Sequence, residues 1–186
     1  MAIATEPHPC FFYGSLMEPK VLNSVTRPGP ETDLFTVRAS IQGYIRYPYH
    51  NEPYPGMVAS EDSHEFVEGL LVFGHTMMDR FRLDQFEGSS LFIPPDMSHI
   101  QEYTRRVLSV KILDPVPAKY NVQGQCQPLT AGDLVEAYVY VFTGPREHLD
   151  TSRPWDFEAF QREHLAIWMQ TSPDFTQRMF DCTQQA

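Results

Sequence analysis

Sixteen prolines and ten glycines, spread from Pro7 to Pro173, cut this chain into short pieces. Proline is expelled from helix interiors because its ring clashes with the preceding turn and its nitrogen has no hydrogen to donate, so such punctuation favours short strands over long helices. The hydrophobic pattern agrees. Phe35, Val37, Ala39 and Ile41 alternate with Thr36, Arg38, Ser40 and Gln42, the period-two signature of a half-buried strand that ends near Gly43. Leu108, Val110 and Ile112 alternate with Ser109 and Lys111 in the same way, as do Val135, Ala137, Val139 and Val141 with Glu136, Tyr138, Tyr140 and Phe142. Cys10–Phe12 and Val67–Phe73 are apolar runs of strand length, the second interrupted by Gly69. Tyr44 to Pro55, rich in tyrosine and proline, reads as an ordered but irregular loop.

Helical signals are few. Met17 to Leu22 reads as a helix start after the Gly14-Ser15 turn. Thr76 and Asp79 have the spacing of a capping box, and Gly88 stands where a helix C-terminus favours glycine, so a short helix is predicted over Met77 to Glu87. Its apolar residues (Met77, Met78, Phe81, Leu83, Phe86) lie all around the axis, which predicts packing on more than one side. A last helix is predicted from about Asp156 to Met169. Several strands, few helices and no strand–helix alternation indicate α+β with a curved or closed, antiparallel-rich sheet. The length suits one domain over 1–186, since strands resume on both sides of Ser89–Gln101 and Pro115–Leu129 and no internal repeat is found.

Twenty-four acidic against fourteen basic residues give a net charge of -10, and no Lys/Arg cluster exceeds Arg105-Arg106, which argues against nucleic acid as a partner. Cys10, Cys126 and Cys182 are far apart and form no CxxC; with seven histidines at no metal-ligand spacing, they predict a reducing compartment, free thiols and no metal centre. No apolar run approaches the roughly 20 residues of a membrane span, and Met1 to Glu6 lacks the start of a secretory signal. The expectation is a cytoplasmic protein with a small-molecule partner and no membrane association; its oligomeric state is left open.

Two stretches carry chemistry. Phe12-Tyr13-Gly14-Ser15-Leu16-Met17 runs from a strand through a glycine-permitted turn toward a helix, an arrangement that leaves backbone N–H groups unpaired and pointing at one place. Leu83-Asp84-Gln85-Phe86-Glu87-Gly88 puts a carboxylate at the last turn of a helix, where the dipole disfavours it by a few tenths to about 1 kcal/mol. Such a residue is either solvated or used. In an apolar pocket, lost hydration would raise its pKa toward neutrality and suit it to general acid–base work.

Taken in order, Tyr13-Gly14-Ser15-Leu16, Gly43-Tyr44, Val67-Glu68-Gly69-Leu70-Leu71, Leu83-Asp84-x-Phe86-Glu87-Gly88 and Tyr103-x-Arg105 resemble the γ-glutamylcyclotransferase-like family, in its AIG2-like branch. Trp155 to Phe160, with His164 beyond, is similar to that branch's C-terminal helix. The resemblance covers about residues 10 to 170. It implies a compact mixed β-barrel with a few flanking helices and a cofactor-free enzyme that releases 5-oxoproline from a γ-glutamyl amide. Carried over by position, Tyr13, Gly14, Ser15 and Leu16 hold the γ-glutamyl group, with Gly43 and Tyr103 added to the binding set, and Glu87 is the acid–base residue. Whether the turn's N–H groups bind the substrate carboxylate or steady the oxyanion stays open.

Two departures from the family pattern bear on substrate. Ser89 to Glu102, directly after Glu87, is longer than in plant members and forms either a lid or a plain surface loop. Tyr44, Tyr47, Tyr49, His50 and Tyr54 make the segment before Pro55 unusually aromatic, either packing the outside of the barrel or fitting a larger, flatter substrate. A non-catalytic binding or stress-response protein on the same fold is the remaining alternative, and it predicts a Glu87 directed to solvent or an occluded pocket.

Overall fold

The computed structural model describes residues 7–30, 32–88, 102–120 and 128–170; Ser89–Gln101, Cys126 and Cys182 lie outside them. Five strands close into a barrel. β1 (Cys10–Phe12), β2 (Phe35–Gln42), β5 (Phe66–Phe73), β6 (Tyr103–Ile112) and β7 (Leu134–Phe142) lie in the order β1-β5-β2-β6-β7. All neighbours pair antiparallel except β7 and β1, whose parallel pairing (Cys10 with Tyr138, Phe11 with Val139) completes the ring and makes it mixed. The remaining strands, β3 (Tyr44–Pro48) and β4 (Pro55–Ala59), form a two-stranded antiparallel sheet.

The period-two runs sort side chains into two cores. Phe11, Val37, Ala39, Ile41, Leu71, Val110, Ile112, Val135, Ala137 and Val139 fill the barrel interior. The alternate face of β1 and of the second half of β7 is also buried: Cys10, Phe12 and Tyr140 pack outward into a second core under the helices, with Leu16, Val21, Val25, Leu83, Trp155 and Phe160. Each large side chain so buried contributes about 1.5–3 kcal/mol of transfer free energy.

Three expectations are corrected. Tyr44 to Pro55 is not a loop throughout: its first five residues are β3, and Pro55 opens β4. Tyr44, Ile45, Arg46 and Tyr47 are all half-buried, so no in–out alternation marks the strand. Pro48 and Pro55 pair with each other at its end, where a missing N–H is tolerated. The first helix, α1, spans Pro19–Thr26 and starts two residues later than read, after a 3-10 turn at Ser15–Met17. Pro19 suits its first position, and the Glu18 side chain caps it by accepting from the Lys20 N–H. The second helix, α2 (Met77–Phe86), has the expected capping box but packs differently: Met77 and Met78 are more than half exposed, and its buried residues are Asp79, Leu83 and Asp84. One leucine and two carboxylates thus make its inward face.

The last helix, α3, begins at Phe157–Ala159 under an Asp156 cap and passes through a π-helical turn at Phe160–His164. Among the described residues no helix is long and apolar enough to cross a membrane.

Gly69 is where the barrel tolerates no side chain. A Cβ there would lie 2.2 Å from the Phe12 carbonyl oxygen and 2.8 Å from the Phe11 ring. Gly69→Ala is therefore expected to destabilise the fold by about 2 kcal/mol or more, whereas Gly29→Ala, which meets nothing within 4 Å, changes stability by less than about 0.5 kcal/mol. Urea denaturation of the two variants checks the contrast.

Candidate active site

The turn after β1 is shaped by its neighbours. Gly14 leaves room for the Pro55 ring, whose Cδ would stand 2.9 Å from a Cβ at this position. The Met17 N–H returns to the Gly14 carbonyl and the Glu18 N–H to that of Ser15, closing the 3-10 turn. The first N–H groups of such a turn have no partner within it, and Ser15 and Leu16 lie in this position. The Arg46 guanidinium on β3 donates from Nη1 to the Tyr13 carbonyl and, at 3.1 Å, to that of Glu68, and its Cζ stands 5.2 Å over the Trp155 ring. Desolvation lowers the proton affinity of Arg46. A cation thus holds the back of the turn in place.

Glu87 caps the C-terminal end of α2. Its N–H bonds to the Leu83 carbonyl at 2.9 Å, and Gly88 follows at a φ of 65°, the left-handed conformation that ends the helix. The residue keeps some exposed surface, but desolvation pushes its carboxyl up to about 8, with the neighbouring Asp84 charge as a second, smaller cause. The phenols around it explain why burial wins. Tyr13 donates to the Tyr140 carbonyl (2.6 Å), Tyr103 to the Pro55 carbonyl (3.1 Å) and Tyr140 to Asp84 Oδ1 (2.8 Å). The hydroxyl protons of Tyr13, Tyr103 and Tyr140 are thus committed elsewhere and do not stabilise a Glu87 anion. Reciprocally, burial first and then nearby charges, Glu87 among them, raise Tyr13, Tyr54, Tyr103 and Tyr140.

Aromatic rings extend this wall. Tyr54 and Phe86 each meet Trp168 of the last helix, at 5.9 and 6.4 Å between ring centres, and Tyr103 meets Phe142 at 5.5 Å. Next to them, Glu102 Oε1 takes the Tyr49 hydroxyl at 3.1 Å and lies 2.6 Å from His148 Nδ1; burial and this bond push Tyr49 up to about 12. Among the described residues no group of three or more His, Cys, Asp or Glu could hold a metal ion.

Of the residues singled out from sequence, the structure brings Tyr13 and Tyr103 to Glu87, and Gly14, Ser15 and Leu16 lie on the adjoining turn. Gly43, at a φ of 76°, forms the turn between β2 and β3, and its backbone bonds run to Glu65 and Ser60. Arg46, Tyr54, Asp84 and Tyr140 were not legible as neighbours of the site. Two of them had a signal: Asp84 shares the helix-end motif with Glu87, and Tyr54 belongs to the aromatic segment before Pro55.

Residues 10–157 match the family described as gamma-glutamyl cyclotransferase, AIG2-like. Among curated proteins, the chain is 26% identical to Protein AIG2 B of Arabidopsis thaliana, over 90% of this chain and 79% of that one. It is 24% identical to Protein AIG2 A of the same plant, over 90% and 78%. In fold it is similar to two solution structures of Arabidopsis thaliana proteins, each with a TM-score of 0.51. One is 21% identical and covers 95% of this chain and 92% of its own; the other is 23% identical and covers 97% and 87%. The protein with this barrel, turn and helix-end carboxyl belongs to the AIG2-like family of γ-glutamyl cyclotransferases.

Proposed function

We propose that this protein is a cyclotransferase that releases 5-oxoproline and a free amine from a γ-glutamyl amide, with Glu87 moving the proton. The observation that carries this reading is the Glu87 carboxyl held near pKa 8 beside the Tyr13–Leu16 turn. An α-amino group titrates at about 7.7–8.0 in model peptides, so a carboxyl raised to about 8 exchanges a proton with it almost without cost. An ordinary carboxylate, nearly four units more acidic, would be a feeble base for an amine.

The reaction then runs as follows. The substrate's α-amine attacks its own γ-carbonyl carbon and a nitrogen–carbon bond forms. The Glu87 carboxylate takes the proton from the attacking nitrogen and hands it to the departing amine as the original amide bond breaks. Glu87 ends as it began. Because the attack is intramolecular, orientation by the turn supplies much of the acceleration, on the order of 7–11 kcal/mol in favourable cases. Proton transfer adds about 10²–10⁴-fold. The N–H groups of Ser15 and Leu16, first in the turn and without a partner within it, suit either the substrate carboxylate or the developing oxyanion.

The rings of Tyr54, Phe86, Tyr103 and Trp168 favour a second reading of the substrate alone, in which the same carboxyl serves a larger, aromatic amide. A non-catalytic role predicts a Glu87 directed to solvent or an occluded pocket, and a desolvated carboxyl speaks against the first of these.

Glu87→Gln is expected to abolish 5-oxoproline release from glutathione, γ-glutamyl dipeptides or γ-glutamyl-lysine, by at least about 100-fold, while circular dichroism is unchanged. Retained release sinks the mechanism, and no product from any of these with the unaltered protein favours the aromatic substrate. In the unaltered protein, kcat/KM should rise with pH through an acidic limb near 8, as the free carboxylate becomes populated.

The same variant has a signature in stability. Unfolded, the carboxyl titrates near 4.5; folded, at about 8. Between these values the native state keeps a proton that the unfolded chain has released, so its contribution is full below pH about 4.5 and lost as pH climbs through 8. Denaturant titrations at about pH 5.5 and about pH 8.5 should show the unaltered protein losing roughly 2–4 kcal/mol more than Glu87→Gln over that interval.

A further inference from the structure

Asp84 lies one helical turn before Glu87, is 8% exposed, and gathers bonds from three elements. Arg80 Nη1, on its own helix, reaches Oδ2 at 3.0 Å. Arg105 Nε, on β6, stands 2.9 Å from Oδ1, and the Tyr140 hydroxyl, on β7, donates to the same oxygen at 2.8 Å. The two barrel partners are themselves held: the Arg105 guanidinium sits 4.5 Å above the Tyr138 ring, and the Tyr140 carbonyl takes the Tyr13 hydroxyl. In the last turn of α2 the one fully buried hydrophobic residue is Leu83, and Phe86 is half-buried, so Asp84 supplies the polar tie of that turn to the barrel.

We infer that Asp84 is the positioning residue of this site: by binding Arg105 and Tyr140 it ties the end of α2 to β6 and β7 and so fixes the place of the Glu87 carboxyl against the Tyr13 turn. The inference rests on the proposed role of Glu87 for its functional meaning, though not for its geometry. A carboxylate suits this post because it accepts from a guanidinium and a hydroxyl at once, and a buried ion pair loses its partner's compensation if either side is removed. Its charge has a second consequence. Glu87 is faced by Asp84 on its own helix and by Tyr13, Tyr54, Tyr103 and Tyr140 from the turn, the β3–β4 connection, β6 and β7, and Asp84 is the one ordinarily charged group of the five. Removing that charge leaves Glu87 easier to ionise, and removing Arg105, which offsets it, leaves Glu87 harder to ionise.

The test is a carbon-13 titration of the glutamate carboxyls in the protein without substrate, with the Glu87 signal assigned by its loss in Glu87→Gln. Asp84→Asn is expected to move the Glu87 midpoint down by about one pH unit, and Arg105→Gln to move it up by a smaller amount. With a turned-over γ-glutamyl substrate, Asp84→Asn should also lower kcat about tenfold with little change in KM, and shift the acidic limb of kcat/KM in the same direction as the midpoint. If Asp84→Asn does not fold, Arg105→Gln carries the test. A midpoint unmoved in every folded variant overturns the inference. Movement of the midpoint in a protein that turns over no γ-glutamyl amide upholds it and refutes the cyclotransferase reading instead.

Discussion

Strand β1 is three residues long, yet the sheet closes through it, antiparallel to β5 on one side and parallel to β7 on the other. So short a strand holds only because both of its faces are buried: Phe11 enters the barrel while Cys10 and Phe12 enter the core beneath the helices. The parallel register with β7 is what sets the site. It carries the chain directly from Phe12 into Tyr13 alongside β7, where the Tyr13 hydroxyl finds the Tyr140 carbonyl. Gly69 on the other neighbour must lack a side chain for β1 to fit at all. The turn that follows β1 therefore inherits its position from strand pairing and needs no rigidity of its own.

The opposite wall is built on a helix that the hydrophobic effect alone would hold poorly. α2 turns Met77 and Met78 outward and buries Asp79, Leu83 and Asp84. Asp79 is absorbed by the capping box with Thr76, and Arg82 reaches the Thr26 carbonyl at the end of α1, where a cation is favoured. Such polar fixing is directional in a way that apolar packing is not. A leucine can slide against a neighbour by half an ångström at small loss, but a carboxylate shared by a guanidinium and a hydroxyl cannot. For a helix whose last residue must present a carboxyl at a set place, directionality has the greater value.

Much of the barrel could be read from sequence, because one buried face per strand leaves a period of two that no helix reproduces. β2, β6 and β7 were legible for that reason, and the ends of α2 were legible from Thr76, Asp79 and Gly88, whose roles are local. β3 was not, since a strand half-buried on both faces has no period. The same distinction separates the site residues. Glu87 and the Tyr13 turn stood out through their own short motifs, whereas Arg46, Tyr54 and Tyr140 matter through partners far along the chain, the Tyr140–Asp84 and Arg46–Tyr13 bonds among them. Gly43 stood out through a motif as well, and its φ of 76° gives it a turn to make between β2 and β3.

Two carboxylates one helical turn apart thus end in opposite conditions. Asp84 is enclosed with two guanidiniums and a hydroxyl that donates to it, so its charge is compensated where it stands. Glu87 is enclosed with phenols, three of which (Tyr13, Tyr103 and Tyr140) already give their protons to the carbonyls of Tyr140 and Pro55 and to Asp84 itself. Tyr140 links the two: it donates to Asp84 and so withholds the same proton from Glu87. Desolvation without a donor raises a carboxyl, and a fixed negative neighbour raises it further. A difference in proton affinity within one motif therefore needs no unusual residue. It follows from which strand each carboxyl meets, and that is decided by the closure of the barrel.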